Sequence, residues 1–384
     1  MTRSQHTILL TRYQRGVALL LILLGSLLLW PLPSASASSN SVPHLSHHPL
    51  TSSGERAAAG TGGRLRWRYQ TGAFVNSSPT VVKGVVYIGS GDHFVYALNA
   101  STGKLLWRYQ TGNAVDSTPA VVNGVVYFGS FDDYVYAITA NTGKLLWRYQ
   151  TGDGVWSSAT VVSGVVYIGS YDDYVYALNA STGSLLWRYQ TGNSVISSPK
   201  VVKGVLYVGS TDHFVYALTA TTGTLLWRYQ TGFQIDGSPT VVNGVVYSGG
   251  EDDFVYALTA STGTLIWRYQ TGNSIDSTPT VVNGVVYVSS DDDSVYALTA
   301  SSGKLLWRYR TGNVVASSPA VVNDVVYVGS EDHFVYALTA SSSTKLWRYQ
   351  TRGLIVYCSP TVVNGVVYIG SWDHYVYALN ASAI

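Results

Sequence analysis

Residues 105–144 read LLWRYQTGNAVDSTPAVVNGVVYFGSFDDYVYAITANTGK, and nearly the same sequence begins again at Leu145. The chain repeats this stretch from residue 65 onward with a period of 40. A tryptophan followed by Arg and Tyr marks each copy, at Trp67, Trp107, Trp147, Trp187, Trp227, Trp267, Trp307 and Trp347. A fixed period of this length indicates stacked supersecondary units, because one unit alone is too small to bury its apolar surface.

Each copy reads as four short β-strands. Residues 125–128 and 134–136 are β-branched or aromatic, which favours a packed, pleated surface. The dipeptide at 123–124 is Asn-Gly, which predicts a tight hairpin with positive φ, and residues 130–133 and 141–143 predict two further turns. The strands are apolar at nearly every position, so both faces of each small sheet must be covered. A propeller blade, which lies between two other blades, has this property.

The two ends of the repeat region predict how the ring closes. The region opens with a Trp-bearing strand at residues 65–71 and ends with residues 375–380, the third strand of a unit. The last unit therefore lacks a fourth strand, and the N-terminal strand can supply it. We predict an all-β fold, an eight-bladed β-propeller of four-stranded antiparallel blades, in which strand 65–71 completes the last blade and closes the ring.

The first 37 residues are typical of an export signal. Arg3, Arg12 and Arg15 precede an apolar run over residues 17–30, and small residues follow it. This run of about 14 residues is shorter than the roughly 20 that span a bilayer. We predict a cleaved signal peptide over residues 1–37, with an uncleaved signal anchor as the alternative, and an exported, extracytoplasmic protein in either case.

The remainder of the chain divides into a linker and the ring. Residues 38–64 are rich in Ser, Pro, His, Ala and Gly without periodicity, which predicts a flexible linker, or a membrane tether if the signal stays attached. Residues 65–384 form the predicted propeller. They carry 18 Lys and Arg against 20 Asp and Glu, so nucleic acid is excluded as a partner. The single cysteine, Cys358, excludes an internal disulfide, and we expect a monomer stabilised by packing and ring closure.

The eight copies differ from one another in two windows. The first window follows the Thr-Gly after each Trp-bearing strand, at residues 73–76, 113–116, 153–156, 193–196, 233–236, 273–276, 313–316 and 353–357. The second is one position in the middle turn, occupied by Gly91, Phe131, Tyr171, Thr211, Glu251, Asp291, Glu331 and Trp372. The connection from the fourth strand of one blade to the first strand of the next, and the connection between the second and third strands, emerge on the same side of the ring, which we call the variable face. The turns on the opposite side, the constant face, are close to constant among the copies. We interpret this asymmetry as specialisation for contact, with relaxed drift in loops as the alternative.

The variable face contains the candidate binding residues. The first window leads into the innermost strand, so its side chains are expected near the central channel. The candidate ligand- or partner-binding residues are Phe74, Asn76, Asp116, Phe131, Trp156, Tyr171, Phe233, Gln234, Asp236, Asp276, Tyr357 and Trp372. A concave, partly aromatic funnel with few polar groups is the common form of a ligand site, and the sequence leaves open whether the ligand is a small molecule or a protein.

An aspartate recurs in every middle turn, at Asp92, Asp132, Asp172, Asp212, Asp252, Asp292, Asp332 and Asp373. One carboxylate per blade places these residues too far apart to share a metal ion, which needs ligands within a few ångströms. We predict that each accepts backbone hydrogen bonds within its own turn. No residue is therefore assigned as a metal ligand.

The pattern Ala-x-Asn/Thr-x-x-Thr/Ser-Gly-x-x-x-Trp, as in residues 97–107, resembles the tryptophan-docking motif of the quinoprotein-type, pyrroloquinoline-quinone (PQQ) repeat propellers. The resemblance covers residues 65–382, with Asn or Thr at the family's usual Asp and with Ser343 in place of one glycine. Identical placement in every copy indicates that the tryptophans dock between blades. The resemblance implies one of two classes of function. Some members of the family are dehydrogenases that hold PQQ and calcium on the propeller axis, and others are cofactor-free scaffolds such as the subunit that helps insert outer-membrane barrels.

Enzyme motifs are absent from the sequence. There is no phosphate-binding loop, no His-Glu-x-x-His and no Gly-x-Ser-x-Gly elbow. Many quinoprotein dehydrogenases stack PQQ on a disulfide of adjacent cysteines, for which Cys358 has no partner. We assign no catalytic residue and no cofactor, and predict an exported, non-catalytic propeller that binds a ligand or protein partner through the variable face. The alternatives are a PQQ- and calcium-dependent dehydrogenase and a scaffold for envelope-protein assembly.

Overall fold

Thirty-two β-strands make up the part of the chain that the structure describes, residues 62–381 of a computed structural model. They form eight four-stranded antiparallel sheets, and these residues contain no helix. Accordingly, a helix long and apolar enough to cross a membrane is not found among them. The predicted signal peptide and nearly all of the predicted linker lie outside the described residues.

Every blade uses the same four strand positions. The first strands are β2 (Thr80–Val82), β6 (Ala120–Val122), β10 (Thr160–Val162), β14 (Lys200–Val202), β18 (Thr240–Val242), β22 (Thr280–Val282), β26 (Ala320–Val322) and β30 (Thr361–Val363). The second strands are β3 (Val85–Gly89), β7 (Val125–Gly129), β11 (Val165–Gly169), β15 (Val205–Ser210), β19 (Val245–Gly249), β23 (Val285–Ser290), β27 (Val325–Gly329) and β31 (Val366–Gly370). The third strands are β4 (Phe94–Asn99), β8 (Tyr134–Thr139), β12 (Tyr174–Asn179), β16 (Phe214–Thr219), β20 (Phe254–Thr259), β24 (Ser294–Thr299), β28 (Phe334–Thr339) and β32 (Tyr375–Asn380). The fourth strands are β5 (Leu105–Gln110), β9 (Leu145–Gln150), β13 (Leu185–Gln190), β17 (Leu225–Gln230), β21 (Leu265–Gln270), β25 (Leu305–Arg310), β29 (Lys345–Gln350) and β1 (Leu65–Gln70).

We number the blades 1 to 8 in the order of their first strands. The first strands of neighbouring blades contact one another, and β2 of blade 1 contacts β30 of blade 8, so these strands surround the axis. The predicted eight-bladed propeller is thus confirmed.

The N-terminal strand closes the ring as predicted. In blade 8 the strand order is β1-β32-β31-β30, and Trp67 pairs with Ala378 as Trp107 pairs with Ala97 in blade 1. Gly63, which the sequence analysis places in the linker, donates its backbone N–H to the carbonyl of Asn380 at 2.8 Å. The ring contacts therefore begin before the first strand.

The tryptophans contact the next blade in a repeated geometry. Trp67 Nε1 donates to the carbonyl oxygen of Ala100 at 2.9 Å, and its ring packs on Gly103. Gly103 has φ +70°, and a Cβ there would lie 2.6 Å from the indole, so both the backbone and the close approach require glycine. Ser343 takes the equivalent position in blade 7 with φ +57°. Strands and tryptophans together bury most of the apolar surface between blades.

Two sets of polar contacts hold the loops that carry the variable face. Near the channel, backbone N–H groups donate to the hydroxyl one blade further on, from Ser78 to Thr118 at 3.3 Å and from Ser359 back to Ser78 at 2.8 Å, which completes a circle of eight such bonds. In the middle turns, Asp132 accepts from the N–H of Tyr134, as predicted, and also from Gly112 N–H and the Tyr136 hydroxyl. These hydrogen bonds hold the loops that carry the variable residues. We call them, together with the tryptophan contacts between blades, the repeated frame.

Candidate binding site on the variable face

A backbone hydrogen bond links the two variable windows within each blade. The backbone N–H of the middle-turn residue donates to the carbonyl of the second residue of the first window, for example Phe131 to Ala114 at 3.0 Å and Trp372 to Leu354 at 2.9 Å. The same bond occurs in all eight blades, at 2.9 to 3.0 Å. Both windows therefore lie on one side of the ring, as the sequence predicts.

Aromatic side chains occupy the variable face on four consecutive blades. Blades 8, 1, 2 and 3 contribute the group that we call the aromatic arc: Tyr357, Trp372, Phe74, Phe131, Trp156 and Tyr171. Within this arc the ring centroids of Phe74 and Trp372 are 5.8 Å apart, and those of Phe131 lie 5.7 Å from Trp156 and 5.9 Å from Tyr171. These contacts link blade 8 to blade 1 and blade 2 to blade 3.

Two aromatic residues of the arc meet across the channel. Trp156 of blade 3 and Tyr357 of blade 8 pack edge to face, with centroids 5.4 Å apart, although blades 1 and 2 lie between them. Tyr357 is the extra residue of the longest first window, and its φ of +58° places it in the left-handed region. We call this pair the arch, because it spans the mouth of the channel above blades 1 and 2.

A buried polar pair lies on the two blades that the arch spans. Asn76 Nδ2 donates to Asp116 Oδ2 at 3.0 Å, and Trp372 Nε1 donates to Asn76 Oδ1 at 2.6 Å. Asp116 is 8% exposed. Burial raises the pKa of Asp116 to about 6, although the hydrogen bond from Asn76 opposes this shift. Its other oxygen, Oδ1, is buried and has no hydrogen-bond partner among the described residues.

Carboxylates occupy the opposite half of the mouth. Asp236 of blade 5, Glu251 of blade 5 and Asp276 of blade 6 each place an oxygen within 4.8 Å of the others. Glu331 of blade 7 follows them, and burial, with the charge of Asp276, raises its pKa to about 7. We call these four residues the acidic arc. Acidic side chains from three blades therefore lie close together on this side of the mouth.

Tyr171 connects the two arcs electrostatically. Burial raises the pKa of its hydroxyl well above the usual range, and the charges of Asp236, Asp116 and Asp153 raise it further. One tyrosine hydroxyl therefore lies within electrostatic reach of carboxylates from blades 2, 3 and 5. Tyr171 of the aromatic arc, the buried Asp116 and Asp236 of the acidic arc are therefore neighbours on the variable face.

The structure brings together ten of the twelve predicted site residues in these arcs and in the Asn76–Asp116 pair. The exceptions are two neighbours on blade 5. Phe233 is 47% exposed and stacks on His213, with centroids 5.1 Å apart, away from the other aromatic residues. Gln234 is half-buried, and its backbone carbonyl accepts from Glu251.

The sequence analysis omitted two members of the acidic arc from its candidate residues. Glu251 and Glu331 occupy the second variable window, so their position contained the signal. They were not selected as candidates because the sequence of one turn does not reveal which residues of other blades lie near it. Only the ring curvature shows that carboxylates from three blades converge.

Comparison with known proteins finds a protein family whose sequence model matches most of this chain. The family model described as "Outer membrane protein assembly factor BamB" matches residues 52–163, 132–234, 231–316 and 255–383. No curated protein sequence matches the chain.

Solved structures resemble the ring over most of its length. BamB from Moraxella catarrhalis superimposes with a TM-score of 0.73 and 20% identity, over 83% of this chain and 99% of that one. The computationally designed protein Ika8 gives 0.75 and 16%, over 83% and 100%. The quinohemoprotein alcohol dehydrogenase ADHIIG from Pseudomonas putida gives 0.70 and 18%, over 82% and 76%. At these identities the likeness shows the fold alone.

Proposed function

We propose that this chain, which belongs to the family described as outer membrane protein assembly factor BamB, is an exported, non-catalytic propeller that binds a partner protein through its variable face. The family description supports both an extracytoplasmic location and a role in assembling envelope proteins. The predicted signal over residues 1–37 agrees with that location. We also assign the eight tryptophans the blade-docking role, which their shared contacts support.

The observation that carries this proposal is the concentration of aromatic and acidic substitutions on one face of a repeated frame, whereas the constant-face turns differ mainly among Lys, Asn, Ser and Thr. The same hydrogen bonds and the same tryptophan contacts recur in every quarter of the ring, so drift would be tolerated on both faces. The differences instead produce a packed aromatic arc facing an acidic arc around one opening. Loops on a rigid scaffold that concentrate aromatic and charged groups are characteristic of binding surfaces.

The mouth does not fit PQQ, the cofactor of the alternative function. PQQ is a tricarboxylate at neutral pH and requires cations or hydrogen-bond donors around it. The two variable windows contain seven carboxylates and no Lys or Arg, and the arch fills part of the axis. The acidic arc offers the oxygen ligands that calcium takes, but it would repel the quinone. Quinone chemistry is therefore not part of the proposed function.

Site-specific photo-crosslinking in the host tests the proposal. A photoreactive amino acid at Thr211 reports on the variable face, and the same amino acid at Asn123 reports on the constant face as the matched control. We expect an adduct with one envelope protein from Thr211 and none from Asn123, in an extracytoplasmic fraction. Equal adducts from both positions, or none from several variable-face positions, would contradict the proposed function.

A further inference from the structure

We propose that the constant face of the ring docks on the surface of an anionic phospholipid bilayer, with a rim of exposed leucines that enters the bilayer interface. This face lies opposite the variable face, so the inference goes beyond the proposed function and does not depend on it. It follows from the rim, the charge of the constant face and the place where the chain enters the ring.

The first two residues of the fourth strands form an apolar rim around the constant face. Each fourth strand begins directly after a constant-face turn, as β5 does with Leu105 and Leu106. Over the eight blades, all but two of these positions hold Leu or Ile, and each of these side chains is at least 38% exposed. The two exceptions are Arg66 and Lys345, so the rim is cationic where it is not apolar. Clustered exposed apolar side chains mark interaction sites, whereas single ones are common on protein surfaces.

A β-bulge exposes both residues of the rim in each blade. In blade 1, Leu105 pairs with Leu98. Trp107 pairs with Ala97, so Leu106 is an extra residue between two paired ones. The same register shift occurs in all eight fourth strands. Successive strand residues normally point to opposite faces, so the bulge allows two adjacent leucines to be exposed together, at one level around the ring.

The constant face is cationic. Its turns carry six exposed basic residues: Arg64, Lys83, Lys104, Lys144, Lys203 and Lys304. Among residues 62–381, the one carboxylate on this face is Asp324, and the others lie in the windows and middle turns of the variable face. Anionic lipids attract Lys and Arg that are held close to the bilayer surface. The charge therefore favours an anionic surface and disfavours contact between the constant faces of two copies.

The rim lies at a depth that a bilayer interface can reach. Helices that lie on membranes bury their apolar face about 5–10 Å into the boundary between headgroups and acyl chains. Leu105 directly follows the turn residue Lys104, and one strand residue spans about 3.3 Å. A face whose turns enter the headgroups can therefore place its leucines against the acyl chains, while the lysines keep their ammonium groups among the phosphates.

A bilayer fits the repetition of the rim better than a protein partner does. Exposed leucine or isoleucine occurs at the rim of all eight blades, so the matching surface has to be apolar along the whole circumference. A bilayer is planar and laterally uniform, and it meets this condition. A folded protein would contact only some blades, and we would then expect differences between blades like those of the variable face.

The chain also enters the ring at the constant face. Gly63 N–H donates to the carbonyl of Asn380, and Asn380 N–H donates to the carbonyl of Arg64, both at 2.8 Å. Other blades have the turn between their third and fourth strands at this place. The apolar run over residues 17–30 precedes this point in the sequence. A signal anchor that stays attached would therefore join the ring on the face that we assign to the bilayer.

An environment-sensitive fluorophore on the full chain tests which face meets the bilayer. Nitrobenzoxadiazole is attached through Ser261→Cys in a constant-face turn of blade 5 and, as the matched control, through Phe233→Cys on the variable face of the same blade; both native side chains are exposed. Cys358 is buried and burial raises the pKa of its thiol to about 12, so it stays unlabelled.

The vesicles consist of phosphatidylcholine with one quarter phosphatidylglycerol. We expect emission from position 261 to rise about twofold as the label leaves water, and emission from position 233 to stay unchanged. No change at position 261, or equal changes at both positions, would overturn the inference. Either result would assign any vesicle binding to the N-terminal segment, which both labelled chains share.

Charge variants in vesicle flotation test the electrostatic part. Replacing Lys104, Lys144 and Lys304 together by Thr should preserve the fold, because Thr already occupies this turn position in blades 4, 5 and 7. We expect affinity for the anionic vesicles to fall at least tenfold. The matched control removes three exposed charges from outside the constant face and should stay within twofold: Lys200→Gln, Arg310→Gln and Arg352→Gln. Equal losses in the two variants, or native binding that is as tight to pure phosphatidylcholine, would contradict the inference.

Rim variants test the apolar part. Replacing Leu106, Leu146 and Leu186 together by Ser should weaken vesicle binding at least tenfold, because less apolar area enters the interface. Phe233→Ser is the control for an exposed apolar residue on the variable face, and its affinity should stay within twofold. Unchanged affinity of the rim variant would contradict the role of the leucines.

Two further measurements distinguish the competing occupants. A dimer seen by sedimentation velocity without lipid, and lost on Leu106→Ser, would assign the rim to a second copy and overturn the inference. A protein adduct from a photoreactive amino acid at Asn123, in place of a lipid adduct, would assign the constant face to a protein partner with the same consequence. Because the proposed function is tested from Thr211, either proposal can fail while the other stands.

Discussion

The repeated frame and the variable face of this propeller are built from the same blades but differ in how regularly their contacts recur around the ring. In the frame, most contacts recur around the ring, as in the middle turns, where Asp132 accepts from Gly112, Tyr134 and Tyr136. Blade 6 departs from this pattern, because Asp292 Oδ1 is buried without a hydrogen-bond partner among the described residues. On the variable face, the contact of Trp156 with Tyr357 occurs once, and the carboxylates of Asp236, Glu251 and Asp276 converge in one place only. The frame thus repeats one set of stabilising contacts, whereas the face combines contacts that differ from blade to blade.

Truncating one tryptophan from each region should give the largest difference. Trp147 is 8% exposed, donates to Ala180 at 2.9 Å and packs on Gly183, so Trp147→Ala should lower the free energy of unfolding by about 3–5 kcal/mol. Trp156→Ala, in the half-exposed arch, should lower it by about 1 kcal/mol and abolish crosslinking to the partner. Urea denaturation followed by circular dichroism measures both. Equal losses of stability would remove the distinction between frame and face.

Two glycine substitutions separate backbone strain from blade contact within the frame. Gly103→Ala introduces a left-handed Ala whose Cβ meets the Trp67 ring, and we expect a loss of about 2 kcal/mol. Gly124→Ala has φ +80° but open space around the new Cβ, so only strain of about 1 kcal/mol is expected. The thermal midpoints of the two variants provide the comparison. If they coincide, the contact between Trp67 and Gly103 contributes nothing.

The carboxylates of the face should make stability depend on pH. The folded state raises the pKa of Glu331 to about 7 and that of Asp116 to about 6, above their ordinary values of 4.5 and 3.8. The folded chain then binds protons that the unfolded chain has released, so stability should fall as pH rises from about 4 to 7. Glu331→Gln should raise the free energy of unfolding at pH 8 by on the order of 2 kcal/mol and change it little at pH 4. A variant that is less stable than the native chain at pH 8 would show that the carboxylate is compensated.

The smallest effect is expected at a predicted site residue that the structure places apart. Phe233→Ala removes an exposed ring that stacks only on the neighbouring turn at His213, so stability should change by less than about 0.5 kcal/mol. Crosslinking to the partner from Thr211 should also be retained. Loss of the adduct would extend the site beyond the channel mouth to the outer part of blade 5.

The sequence predicts the frame almost completely, because each local signal is repeated eight times. Asn123-Gly124 specifies a hairpin with positive φ at both residues, and the spare Trp-bearing strand specifies the closure with β32. The site is predicted less completely. Position in a window identifies Trp156 and Tyr357 as candidates, but their contact depends on an extra residue in blade 8 and on the width of the channel. The acidic arc likewise follows from ring curvature, which no local pattern contains.

The division between frame and face is tested most directly by a ring whose face has been made uniform. In this variant every first window and middle-turn residue is replaced by those of blade 4, Asn193-Ser194-Val195-Ile196 and Thr211, which contain neither aromatic nor acidic residues. Thermal unfolding and photo-crosslinking from the constant and variable faces are then measured beside the native chain. We predict a folded ring of equal or higher stability that forms no adduct with the partner. A uniform ring that still crosslinks to the partner, or that fails to fold, would contradict the assignment of recognition to the variable face.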